Sequence, residues 1–389
     1  MENMIGQNFP GLPQRSIYFF LATFPPFYPA TARLAAPDAA PGAQEAAYKF
    51  IKNIYTRLYN DPSILGFKDA PDESIGDWEL LKTKPGLAGK IRGYIIKTLE
   101  FAELLYKISL KGALRDDSII ITKLDMTIRQ SQADQLSAFG IQAINKNDEY
   151  TFAFPKGVAK GLALLAEISQ RAAPGSQKPY LLFSRGVFNP EAPWTASVFE
   201  NIFACQSEAA GAAFGRLIRY LEANGYERRD NRSQEDRLAP VSLDYIKDYT
   251  GTNEPLKWAW GERTHGGIEV IYQENAKNQP QIALRVPYFA ELLRHADKMA
   301  PAVKAFIIGR AKHCDNCRYC VQTDKTGKRP LKYVEVDGHP ICAMFCGFSF
   351  RWYTLDGDTA ENMIAMLSFI DEIFRSGGAG EAALKRWAK

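Results

Sequence analysis

Long apolar runs are missing from this chain. None approaches the roughly 18 consecutive residues a membrane-spanning helix needs, so an integral helical membrane protein is not expected. Strong charge of one sign is missing too, because 48 Lys and Arg stand against 44 Asp and Glu, a formal net charge of +4. Such a balance permits an anionic partner without requiring one. Histidine is scarce at four residues, and cysteine at six, with Cys205 the single one outside positions 314 to 346. The sequence contains no Gly-x-Ser-x-Gly elbow and no His-Glu-x-x-His pair, which removes two common hydrolase signatures. "KPGLAGKI" carries Gly89-Lys90, but Lys84 and Ile91 stand where a phosphate-binding loop needs glycine and Ser or Thr. "SGGAGEA" near the C-terminus reads as a linker, and no internal repeat of solenoid or propeller period is present.

What is present is the composition of a folded protein, 46% hydrophobic and 24% charged. A length of 389 residues exceeds what one core usually organises, so several domains are expected. Residues 1–43 read as an extended arm with a joint at "AAPDAAPGAQ". Within it "SIYFFLATFPPF" has a short apolar core, interrupted by Pro25 and Pro26 and preceded by one basic residue, Arg15. That favours a buried N-terminal strand or arm over a cleaved signal. Residues 44–238 read as a helix-rich α+β domain, 239–312 as a mixed hairpin and helix unit, and 357–389 as a C-terminal helix packing on the core.

The periodicity predicts helices at about 90–110, 126–139, 156–171 and 208–222. Gly112 is the expected C-cap of the first, and Gly211 and Gly215 on the last are expected to allow close approach of a neighbour. "NKND" sits between two strand-like runs as a hairpin turn, and "GIEVIYQ" with "QIALRVP" reads as a second hairpin. "YERRDNRSQEDR", residues 226–237, carries balanced charge and reads as a solvated linker. Helices are expected after Pro287 and Pro301, and a last one opened by a capping box of Asp358 and Glu361.

The informative segment is "HCDNCRYCVQTDKTGKRPLKYVEVDGHPICAMFC", residues 313–346. Its pattern is Cys314-x2-Cys317-x2-Cys320, then Cys342-x3-Cys346. Two residues between thiols let a tight knuckle aim both sulfurs at one ion. "LKYVEV" and "HPIC" flank Asp337-Gly338, a favoured two-residue turn. Knuckle, hairpin and second cysteine group form the layout of a zinc-ribbon or treble-clef-like module over residues 313–356. Zinc takes four ligands, and Cys314, Cys317, Cys320 and Cys342 are the preferred set. Cys346 can replace a knuckle thiol, and His313 or His339 can substitute. The alternative is a 4Fe-4S cluster, because Cys-x2-Cys-x2-Cys opens a ferredoxin-type motif, although the fourth position of that motif is Asp324.

Residues 301–333 hold Lys304, Arg310, Lys312, Arg318, Lys325, Lys328, Arg329 and Lys332 against Asp315 and Asp324. Lys325, Lys328, Arg329 and Lys332 would meet a nucleic acid or an acidic partner, though thiolates around zinc also attract nearby cations. The stretch 314–330 resembles a group of bacterial proteins without assigned activity that share this knuckle followed by "DKTGKRP". The resemblance implies a bacterial cytoplasmic protein and adds no catalytic residue. Clustered thiols of ligand spacing likewise point to a reducing compartment. His265, in "ERTHGGIEV", is the one histidine with a setting suited to acid–base work, with Trp258, Trp260 and Tyr249 upstream as aromatic walls or packing. Cys205 has no base nearby in sequence and reads as a buried helical thiol. The expectation is a cytoplasmic zinc protein that acts by binding. An iron–sulfur redox enzyme is the alternative.

Overall fold

The computed structural model describes residues 9–34, 41–67, 85–172, 178–231, 241–249, 265–272, 281–286, 289–311, 313, 333–342, 349–352 and 355–375. Helix and strand cover 58% and 18% of the described residues, in antiparallel sheets separate from the helices, so the class is α+β as expected. Two compact units form. The first is residues 1–202 with 232–241 and 272–279, and the second is 203–231, 242–271 and 280–389. Among the described residues no helix is long and apolar enough to cross a membrane.

The first unit opens with α1 (Leu12–Ala22), a helix where an extended arm or strand was expected. Residues 12 to 21 are buried on every face, Arg15 included. A segment apolar all round shows neither the two-residue nor the 3.6-residue period, so pattern alone does not separate strand from helix. Pro13 lies in the first turn, where a missing N–H costs nothing. Phe20 stacks on Tyr55 of α2 (Pro41–Asn60) with ring centres 5.0 Å apart. The Tyr55 hydroxyl donates to Ser184 O at 2.7 Å. Beside it the buried Arg185 guanidinium lies 5.8 Å over the Phe19 ring, and burial lowers its pKa to about 10.

Helix α3 (Pro85–Lys111) buries the expected stripe of Ile91, Ile95, Leu99, Ala102, Leu105 and Ile108. Gly112 follows it for a different reason from the one expected. It is not among the glycines with positive φ, so it is no left-handed cap. A Cβ there would sit 2.2 Å from Ile119 Cγ2, so the glycine admits the sheet. That sheet, in the order β1-β2-β4-β3, joins β1 (Ala113–Arg115), β2 (Ser118–Thr122), β3 (Gln142–Lys146) and β4 (Glu149–Ala153). Helix α4 (Gln130–Ala138) precedes β3, and the turn between β3 and β4 holds Asn147 at φ 47°. Ile119, Ile121, Tyr150 and Phe152 form the buried face. Helices α5 (Val158–Ala172), α6 (Pro179–Phe183) and α7 (Trp194–Gln206) follow.

The second unit begins inside α7, between Ile202 and Phe203. Ser207 caps α8 (Glu208–Ala223) by accepting from Ala210 N at 3.0 Å, and Gly225 at φ 75° ends the turn after it. Gly211 does permit close approach, since a Cβ would lie 3.0 Å from Ala204 Cα. Gly215 does not, because a Cβ there would meet only the end of Arg219, at 3.3 Å. The expected linker is partly a strand: β5 (Glu227–Asn231) pairs antiparallel with β6 (Val241–Asp248), from Glu227↔Ile246 to Asn231↔Ser242. Residues 232–240 lie outside the described residues.

Strands β7 (His265–Tyr272) and β8 (Gln281–Arg285) form the expected hairpin pair. Helices α9 (Phe289–Arg294) and α10 (Pro301–Arg310) follow. Next come β9 (Tyr333–Val336), β10 (His339–Cys342), β11 (Ser349–Trp352) and α11 (Gly357–Arg375). The five-stranded sheet runs β11-β8-β7-β6-β5, with β9 and β10 as a separate pair. Its apolar face carries Leu243, Tyr245, Ile268, Val270, Ile282 and Leu284, all buried. Tyr245 donates to Glu222 of α8 at 2.7 Å, and Phe306 of α10 stacks on Trp352 of β11 at 5.5 Å. Helix α11 buries its expected stripe from Met363 to Phe374. Its cap is Asp356 rather than Asp358, for the Asp356 Oδ1 accepts from Thr359 N at 2.7 Å.

Candidate metal centre

Between β9 and β10, Asp337 and Gly338 take φ 47° and 77°, the left-handed pair of a tight two-residue turn. The register closes on Val336↔His339 and ends on Tyr333↔Cys342. Side chains alternate along a strand, so His339 and Ile341 share one face of β10 while Pro340 and Cys342 share the other. On the Cys342 face, Tyr333 is 37% exposed and Glu335 is exposed, yet Cys342 is only 3% exposed. The thiol is thus shielded at a strand end whose neighbours face solvent.

The chain approaches the knuckle through α10. His313 forms an antiparallel bridge with Ile341, the residue before Cys342. Its Nε2 donates to Ile308 O at 3.0 Å, since a carbonyl can only accept. The His313 and His339 rings lie 5.3 Å apart, centre to centre. Lys304 Nζ reaches Asp337 at 3.3 Å, which ties α10 to the hairpin turn. Arg310 lies 5.7 Å over the Trp352 ring. Two of the cations counted in the basic stretch are therefore engaged within the fold.

Of the five expected ligands, Cys342 alone is described. Cys314, Cys317, Cys320 and Cys346 lie outside the described residues, as do Lys325, Lys328, Arg329 and Lys332. Among the described residues no group of three or more His, Cys, Asp or Glu is placed to hold a metal ion. His265 opens β7, and Trp258 and Trp260 fall outside the described residues. Cys205, expected to be buried, is exposed on α7. That helix buries Val198, Phe199, Ile202 and Phe203, and position 205 faces away from them.

Sequence reasoning missed two polar clusters on the five-stranded sheet. On its helix-covered side Lys247 Nζ pairs with Asp371 Oδ1 at 2.8 Å and donates to Asn224 O at 2.9 Å. The Tyr249 hydroxyl donates to the same carboxylate at 2.8 Å and lies 2.9 Å from the Tyr226 hydroxyl. Burial drives both tyrosine pKa values far up, so neither is a base at neutral pH. Arg285, whose neighbours in sequence fill the other face, pairs with Glu269 at 2.7 Å and approaches Asp244 at 3.9 Å. The alternation that exposes Arg285 and Lys247 to opposite faces was readable. Their partners were not, because Asp371 is 124 residues from Lys247.

A groove of about 550 Å³ in the first unit runs between α3 and the segment leading to α4, lined by Glu100, Glu103, Lys107, Lys111, Asp125 and Arg129. Its charges answer one another, with Lys107 on Glu103 at 2.8 Å and Lys111 donating to Asp125 O at 3.4 Å. No protein-family model matches the chain, and neither a curated protein nor a solved structure matches it.

Proposed function

We propose that residues 313–346 form a structural zinc module of zinc-ribbon or treble-clef type, and that the protein acts by binding a partner or ligand. The observation that carries this is the His313↔Ile341 bridge. It sets the residue before Cys314 beside the residue before Cys342, which supports a reading in which both cysteine groups serve one ion. The buried Cys342 thiol, on a strand face where Tyr333 and Glu335 are exposed and Pro340 is half-buried, fits a sulfur donor. Cys314, Cys317, Cys320 and Cys342 would hold the ion, with Cys346 as the replacement thiol. Zinc supplies no redox chemistry, and four protein ligands leave no open position for substrate. Its role is to hold together a segment too small to bury a core of its own. Thiolate ligands suit a reducing compartment such as the cytoplasm.

Metal analysis after strictly anaerobic purification tests the reading. One zinc per chain and a colourless protein are expected. Iron with sulfide and a brown protein would assign a cluster to the same cysteines instead. Metal binding in isolated zinc modules supplies on the order of 10 kcal/mol of folding free energy. Removing the metal, or Cys317→Ser, is therefore expected to abolish amide protection in residues 333–342 while α2, α3 and α5 keep theirs. Unchanged protection of β9 and β10 without metal would sink the structural role.

A further inference from the structure

We infer that His313 and His339 form a second, exposed metal site, an imidazole pair selective for borderline divalent transition ions such as Ni(II), Cu(II) or Zn(II). The geometry of the two rings carries it. A zinc–nitrogen bond of about 2.0–2.1 Å plus a ring radius of about 1.1 Å puts an imidazole centre about 3 Å from the ion. Two such ligands at a near-tetrahedral angle have centres about 5 Å apart. The observed separation is 5.3 Å, with the rings tilted by 51°.

The backbone produces this pairing. His313 lies opposite Ile341, and His339 is two residues from Ile341 on the same strand face. The pair thus sits on the face of β10 opposite the Cys342 thiol, and the inference does not rest on the zinc module. A second observation sets the tautomer. His313 Nε2 donates its proton to Ile308 O at 3.0 Å, which leaves Nδ1 as the lone-pair nitrogen. A ligating histidine commonly donates its other N–H to a backbone carbonyl in this way, which fixes the ring orientation. Both residues are exposed, so an ion can reach them. Two imidazoles fill only part of a coordination sphere, and water or a donor from a bound molecule completes it. The site is exchangeable where the thiolate site is closed.

The test titrates the full-length protein with Ni(II) under anaerobic conditions. With histidine rings isotopically labelled, four ring signals are expected. Paramagnetic Ni(II) should broaden two of them, and these should be the two rings that show a mutual Overhauser effect. His313→Gln and His339→Gln should each weaken Ni(II) binding at least about tenfold, the lower end of what even a supporting shell contributes. His265→Gln should leave it unchanged, and an unchanged urea midpoint in each variant confirms the fold. The site is refuted if broadening falls on His265 or His295. It is equally refuted if Ni(II) affinity survives both substitutions, or falls only with Cys317→Ser, which would place the ion on the thiols. The wild-type spectrum decides the matter even if a variant fails to fold.

Discussion

The Asp371 carboxylate is 3% exposed, and its burial is tolerable because three groups answer it: Lys247, Tyr249 and, at 3.5 Å, Tyr226. Removing one partner of a buried pair leaves an uncompensated charge and costs about 3–5 kcal/mol. Lys247→Met is expected near the lower end, because Tyr249 still donates, and should appear as a lowered urea midpoint. Replacing Lys247 and Asp371 together by apolar residues should cost less than Lys247→Met alone. A single-variant loss below that of the double variant would show that the pair contributes nothing specific. A glycine in the first unit is as constrained. Gly161 of α5 meets α2 so closely that a Cβ would lie 2.0 Å from Ala43 O and 2.7 Å from Ala47 Cβ. Both obstacles belong to the helix wall, so neither can rotate away. Gly161→Ala should destabilise by about 1–3 kcal/mol as overpacking does, read in the same unfolding experiment. Nothing in "KGLALLAE" signals that contact, since its partner is more than a hundred residues earlier in the chain.

Legibility rises at the scale of the element, and it follows amphipathicity. Helices α3, α8 and α11 were readable because each shows one apolar stripe, and the stripe is what is buried. The hairpins at Asn147 and at Asp337-Gly338 were readable because left-handed turn positions demand particular residues. Helix α1 was not readable, being apolar all round. Strand β5 was not either, because an edge strand rich in Arg, Glu and Asp has the composition of a linker until β6 pairs with it. The cysteine segment stood out by its spacing, while the shielding of Cys342 and the imidazole pair needed the hairpin's register. Cap placement is the finest case. Asp356 closes α11, and hydrogen bonds from the Thr359 hydroxyl and then its N–H hold the carboxyl below the ordinary value of 3.8. A depressed carboxylate stabilises the fold fully above its unfolded pKa, and the contribution is lost as pH falls below 3.8 through the folded value. Asp356→Ala should therefore cost about 1 kcal/mol at neutral pH, a usual loss for an N-cap. Its gap from the wild type should close in acid. Asp358→Ala should have little effect, and equal losses at both positions would return the cap to Asp358.

At the scale of the whole molecule, chain order and spatial grouping disagree. The second unit gathers 203–231, 242–271 and 280–389, so it is not one continuous stretch, and its first helix-and-strand piece comes before the expected boundary at 238. A fragment ending at Leu238 would hold α8 and β5 without the sheet they belong to. Strand β5 would lose its ladder to β6, and the α8 residues Ala210, Ala213, Leu217 and Leu221, all buried in the intact chain, would lose the cover of α11, although Phe214 keeps its stack on Phe203 of α7. Those side chains are the kind of apolar surface that drives association. Fragment 1–238 is therefore expected to aggregate on purification, whereas fragment 1–202 leaves out both α8 and β5 and should be the more soluble. Size-exclusion chromatography of the two at matched concentration decides between the boundaries. If 1–238 elutes as a monomer with protected amides in β5 while 1–202 aggregates, α8 and β5 belong with the N-terminal unit and the division at Ile202 is wrong.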